Sequence, residues 1–266
     1  MAADTAAERF LAEALARQVH NVGAHDFGGE RVWVKKAGPR NPRWRYMLMG
    51  FLSRALGLGV LSPVPNFGGA DAINTEVRRL QTLAAQGVFV PEVLAWSDTG
   101  LMLKDLGSTG EPGLSLQQEM ATAKDVSACL ALFDEGLAAL ADLHRRGGYL
   151  SQGFARNMVR AADGRIAFID FEDDPGRALG LAQCQARDWL CYLHSTALIL
   201  DQRELLEAAA PRVRAALAAV DADIRAQVLR TAGRLAWLRH LPRGRRFGRD
   251  GQRLRAVAWL LQGLSR

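Results

Sequence analysis

The stretch GGYLSQGFARNMVRAADGRIAFIDFEDD, Gly147–Asp174, decides how the rest of the chain is read. Asp163-Gly164 is a strong two-residue hairpin turn, with short apolar runs on either side. With these two as the central residues, Ala162 faces Arg165, Val159 faces Phe168, Met158 faces Ile169 and Asn157 faces Asp170. Directly opposed residues share a face of the sheet, with Cβ atoms about 4.5–5.5 Å apart. An amide oxygen and a carboxylate at that separation suit one divalent cation. A hard ion such as Mg²⁺ takes such oxygen ligands and keeps positions open for phosphate. The run RIAFID is apolar before its acid, so Asp170 emerges at the buried end of a strand, where a carboxylate needs a metal or a basic partner.

Outward from the hairpin, the chain is globular. Of its 266 residues 49% are hydrophobic and 23% charged, enough for one large domain or two small lobes. Cys129, Cys184 and Cys191 are odd in number, lack metal spacing and lie in apolar helical patterns, as core thiols of a reducing compartment do. The N-terminal MAADTAAERFLAEALARQ is an amphipathic helix carrying acids rather than a signal peptide, and no apolar run reaches the roughly 20 residues of a bilayer span. A cytoplasmic protein is expected.

The net charge of +6 is unevenly placed: Arg234–Arg266 holds nine arginines and one acid, Asp250. A second basic run, Lys35–Arg54, has six cations and no acid. Such segments meet phosphates of lipid, sugar or nucleic acid, or form a solvated face. The mostly apolar piece from Tyr46 to Leu61 reads as a buried helix or as one lying on a membrane surface beside Trp44.

Residues 5–19 read as helix, GGERVWVKKAG as a short strand, DAINTEVRRLQTLAAQG as a helix stopped by Gly87, and FVPEVLAWSDTGLMLKDLG as strand, turn, strand. DVSACLALFDEGLAALADLHRRGG is a long helix with Val126, Cys129, Leu130, Phe133, Leu137, Leu140 and His144 along its apolar stripe. After the hairpin the patterns are all helical. The fold class is α+β: a small mixed α/β half to about Leu106, then a larger, mainly helical half holding one hairpin.

Leu143, His144 and Gly147 at a helix end, Asn157 and Met158 beyond them, and Ile169-Asp170-Phe171 closing the next hairpin resemble the protein-kinase-like superfamily. More narrowly, the chain resembles the bacterial branch of lipopolysaccharide-core sugar kinases and the related small kinases acting near tRNA modification. The resemblance spans about Glu30–Leu193. It implies two lobes, an N-lobe at 1–106 with an insertion at about 39–69 and a C-lobe at 107–266 with a basic helical tail. It also implies ATP and Mg²⁺ as cofactors, with Asn157 and Asp170 holding the metal against the phosphates. Lys35 of VWVK stands where the phosphate-binding strand lysine would, with Lys36 its rival, and Glu76 of NTEVRRL where its helix partner would. Lys104, Asp105 and Leu106 match the hinge whose backbone meets adenine. Asp188 of RDWL matches the helix aspartate that braces the catalytic loop, or is a plain surface acid.

Two departures stand out. No full glycine-rich phosphate loop fits between Gly29 and Lys35. Gln152 occupies the place of the catalytic aspartate with the flanking spacing intact, and an amide cannot accept a proton as a carboxylate does. A general base contributes about 10²–10⁴-fold, whereas phosphoryl transfer leans mainly on positioning and metal electrostatics. Gln152 is then left to orient an acceptor hydroxyl, with Glu172 or Asp173 as a substitute proton acceptor. Three readings follow. The first is a phosphotransferase whose acceptor is a sugar or lipid-linked sugar of the cell envelope, working in peripheral contact with the anionic inner membrane. The second is a pseudokinase that binds nucleotide or a partner and regulates or scaffolds. In the third, the tail binds nucleic acid, although RGRRFGRDGQRLR offers only Phe247 for stacking. Val257, Leu260 and Leu261 instead favour packing of that tail as an amphipathic helix.

Overall fold

The computed structural model describes residues 5–39, 60, 68–107, 113–241 and 248–262. The 43–61 segment other than Val60, and residues 242–247 and 263–266 of the tail, lie outside the described residues.

Helix α1 (Thr5–Arg17) precedes β1 (Val22–Phe27) and β2 (Glu30–Lys36). Then come α2 (Gly69–Ala85), β3 (Val93–Ser97) and β4 (Gly100–Lys104). The four strands form one antiparallel sheet in the order β1-β2-β4-β3. Strand periodicity explains how it is covered. Val32, Val34, Ala95 and Met102 pack under Ala7, Leu11 and Ala14 of α1. On the opposite face Leu101 joins Ile73, Val77 and Leu80 of α2.

Sequence pattern predicts one strand here, and the structure has two. β1 is a half-buried edge strand whose VGAHDF shows no apolar alternation. It joins β2 through Gly28-Gly29, both at positive φ (66° and 84°) in a tight two-residue turn.

The 147–174 hairpin is present but shifted by one residue. β5 (Met158–Arg160) and β6 (Ile166–Phe168) pair Met158 with Phe168, Val159 with Ala167 and Arg160 with Ile166. The turn causes the shift. Gly164 N–H donates to the Ala161 carbonyl at 2.9 Å, and Ala161 N–H to the Arg165 carbonyl at 2.9 Å. Ala162 and Asp163 are therefore the central residues, and Gly164 follows in the left-handed region at φ 84°. This is the three-residue loop, which consumes one residue more than the two-residue turn. Asn157 consequently stands beside Ile169, whose N–H donates to its carbonyl at 3.0 Å, and not opposite Asp170.

The remainder is helical: α3 (Leu116–Thr122), α4 (Val126–Arg145), α5 (Leu181–Gln202), α6 (Leu206–Ala218), α7 (Ala222–Leu235) and α8 (Gly248–Gln262). The α4 stripe is buried from Cys129 to His144, but Val126 is 52% exposed because it starts the first turn, directly after the Asp125 N-cap. α5 is buried on almost every side and is the axis of the core, with Trp189, Tyr192, Leu193 and Leu200 fully enclosed. Val257, Leu260 and Leu261 of α8 are buried in the same core. All three cysteines are free and buried. Among the described residues, no helix is long and apolar enough to cross a membrane.

Candidate functional site

A cavity of about 970 Å³ lies between the sheet and the helices, at the upper end of the range for small-molecule sites. Lys35, Glu76, Lys104, Asp105, Leu106, Asn157 and Asp170 all line it, although they come from five separate stretches of chain.

Strand parity separates the two lysines. Val32 and Val34 face α1, so Trp33 and Lys35 face the cavity and Lys36 turns back toward the α1 side. There its Nζ bonds the Gln18 carbonyl. Lys35 Nζ instead meets three carboxylates: Glu76 Oε2 at 2.8 Å, Glu172 Oε1 at 2.9 Å and Asp170 Oδ1 at 3.2 Å. Burial works to lower the Lys35 pKa, but the three acids outweigh it and hold the ammonium well above its ordinary range. Glu76 is almost wholly buried on α2, and desolvation raises its pKa despite the lysine. Its second oxygen accepts the Phe171 N–H at 3.4 Å, which ties α2 to the chain just after Asp170.

Asp170 has φ 72°, in the left-handed region that is uncommon outside glycine and that Asp adopts more readily than most side chains. Such a backbone persists only where its surroundings enforce it, and these sites cluster where function needs an exact placement. Its side chain is 43% exposed and opens into the cavity. Asn157, by contrast, is buried at the end of a 3₁₀ turn (Ala155–Asn157). Its Nδ2 donates to the Gln152 carbonyl at 3.2 Å, so the amide oxygen is the end left for a cation. The predicted pair thus meets at one cavity even though the ladder does not oppose its members.

The donor set fits a hard divalent ion. One lysine stands against three carboxylates at the cavity wall, and every candidate ligand atom is oxygen. Among the described residues, no group of three or more His, Cys, Asp or Glu is arranged to hold a metal by itself. An ion at Asn157 and Asp170 would complete its shell with ligand oxygens.

Gln152 does not line the cavity. Its Nε2 donates to Asp173 Oδ2 at 3.3 Å, and its Oε1 accepts from Arg156 Nη2 at 3.4 Å. Asp173 is buried, which raises its pKa, and its Oδ1 has no hydrogen-bond partner. Of the acids that follow Asp170, only Glu172 reaches the cavity; Asp174 serves Tyr149 and Arg78. Asp188 is fully buried and accepts the Leu150 N–H at 2.9 Å, with His144 Nε2 at 3.1 Å, so it braces the loop before Gln152 and is no surface acid.

The 104–106 segment is partly committed already. Lys104 N–H donates to the Glu92 carbonyl, Asp105 N–H to the Arg31 carbonyl, and the Leu106 carbonyl accepts Ala162 N–H. The Asp105 carboxylate is held by Trp33 Nε1 at 2.6 Å. Sequence reading passed over Trp33 as a wall residue and Glu172 as the third partner of Lys35. The first was legible from parity with Lys35; the second depends on how the chain turns after Asp170, which no local pattern reports.

No model of a known protein family matches the chain, and no curated protein matches its sequence.

Proposed function

We propose that the protein is a kinase-like phosphotransferase using ATP and Mg²⁺, with an atypical catalytic loop and a sugar or lipid-linked sugar of the cell envelope as acceptor. The carrying observation is the convergence of Lys35, Glu76, Asp170 and Asn157 on one cavity wall, with the 104–106 segment on the same cavity. In this reading the chain has two lobes, 1–106 and 107–266, and the cavity is the cleft between them.

Lys35 supplies the cation for the inner phosphates, and Glu76 fixes its position. Asn157 and Asp170 would hold the metal, which when bound neutralises charge on the phosphates and aligns them for transfer. Trp33 and the hinge segment give the base an apolar wall and backbone partners. The tight Gly28-Gly29 turn offers little backbone to cover the phosphates, so the charges of Lys35 and the metal carry most of that stabilisation. The basic segments of the sequence support peripheral contact with an anionic membrane face.

One observation favours a second reading, a pseudokinase that binds nucleotide and acts as a regulator or scaffold. Gln152 is turned toward Asp173 and Arg156 rather than into the cavity. Transfer of label from γ-labelled ATP into a bacterial envelope extract separates the two. The enzyme reading predicts transfer that is lost in Asp170→Asn. Magnesium-dependent ATP binding without any transfer selects the pseudokinase.

A further inference from the structure

The left-handed backbone at Asp170 is restrained by cavity residues, at its side chain by Lys35 Nζ, before it by the Ile169 N–H on the Asn157 carbonyl, and after it by the Phe171 N–H on Glu76. Beyond Glu76 the same helix reaches the segment twice more. Arg79, one turn beyond Glu76 on α2, is 5% exposed. Its guanidinium lies 3.8 Å over the Tyr149 ring, and its Nη2 donates to the Tyr149 carbonyl at 2.5 Å. Tyr149 in turn donates its hydroxyl to Asp174 Oδ1 at 2.8 Å, while Arg78 Nη2 meets Asp174 Oδ2 at 3.2 Å. Burying a guanidinium is costly unless it is hydrogen-bonded or stacked. Arg79 spends its charge on a backbone carbonyl and a ring, which is poor value as surface stabilisation but effective as a joint.

We infer that Arg79, Tyr149 and Asp174 form a clamp that locks α2 to the loop before Gln152 and to the end of the 170–174 segment. Arg79 is then a positioning residue for the candidate metal ligand Asp170. Asp170 sits between Ile169, whose N–H is held by the Asn157 carbonyl, and Phe171, whose N–H is held by Glu76, and the clamp fixes the segment again at Asp174 through Tyr149 and Arg78. The Lys35–Glu76 pair is accordingly held by tertiary contacts and does not wait for a ligand to assemble it. The link to metal binding rests on the proposed nucleotide function; the clamp itself does not.

The test uses the full chain with Arg79→Met, Arg79→Lys and Tyr149→Phe. Hydrogen exchange in the ligand-free protein reads the clamp. Arg79→Met should speed exchange of amides 171–174 by about tenfold, with partial recovery in Arg79→Lys. ATP affinity with and without Mg²⁺ reads positioning. Arg79→Met should lose about tenfold with the metal present and much less without it. Unchanged exchange at 171–174 in a folded Arg79→Met overturns the clamp. If that variant does not fold, Tyr149→Phe, which keeps the ring and removes only the Asp174 bond, must speed exchange at Gly176, whose N–H donates to the same Asp174 oxygen, or the clamp is wrong. A wild-type chain that binds no nucleotide defeats the proposed function but leaves the exchange result to decide the clamp.

Discussion

At the scale of single residues, the site is a problem of charge balance solved around Lys35. The ammonium is largely enclosed, and Glu76 even more so, so each needs the other. Lys35→Met should cost about 3 kcal/mol by leaving Glu76 buried alone, and adding Glu76→Leu should restore much of that stability without restoring nucleotide binding. Urea unfolding of the two variants checks the first half, and calorimetric titration with ATP the second. Gln152 presents the opposite case. Its amide supports Asp173, so Gln152→Asp would set two carboxylates against each other where one amide bond stood. That variant should gain no transferase activity and should melt lower at neutral than at mildly acidic pH. The double change with Asp173→Asn should remove the difference. Asp173 also fixes a sign in the wild type. Burial raises its pKa, so the folded state keeps its proton over a window above the ordinary 3.8 where the unfolded chain has lost it. Its contribution to stability therefore falls as pH rises through that window, and Asp173→Asn should flatten this part of the stability profile. Lys35, Glu76, Asn157 and Asp170 were legible as residue types in the right order. Lys35 could be separated from Lys36 only once α1 was known to cover the Val32–Val34 face.

At the scale of elements, the hairpin shows what local pattern can and cannot specify. Asp163-Gly164 marks a turn, but the same pair serves a two-residue and a three-residue loop, and the choice moves every partner by one. Asn157 and Asp170 both line the cavity, and neither lies within the ladder. The first ends a 3₁₀ turn and the second lies two residues past the last strand residue, Phe168, at φ 72°. β1 escaped notice for the converse reason, since an edge strand with half-exposed residues has no apolar rhythm. The loop before Asn157 is held as tightly as the hairpin. A Cβ on Gly153 would lie 2.7 Å from the Asp188 carbonyl oxygen and 2.8 Å from its Cα, both backbone atoms of α5. Gly153→Ala should therefore cost about 1–3 kcal/mol by forcing the loop off the helix. Thermal unfolding checks the loss, and weaker ATP binding should accompany it because Asn157 hangs from Gln152.

At the scale of the whole molecule, the helical half is organised around α5, which carries Asp188 under the loop and receives α8 on its flank. The strong positive charge of the tail invites a reading as a separable arm, yet the described part of that tail buries Ala256, Val257, Leu260 and Leu261. Leu260→Ala should cost about 2–5 kcal/mol, as for other fully buried leucines, and removing α8 should yield an insoluble chain. The α+β order of elements and the α8 face were legible from apolar periodicity. The cavity was not, because its residues come from stretches far apart in the chain and only tertiary packing brings them together. The most direct test of the central claim is titration of the full chain with ATP in the presence and absence of Mg²⁺, alongside Asp170→Asn. Magnesium-dependent binding by the wild type, lost in the variant, is the predicted result. Equal binding by both proteins, or none by the wild type, would contradict it.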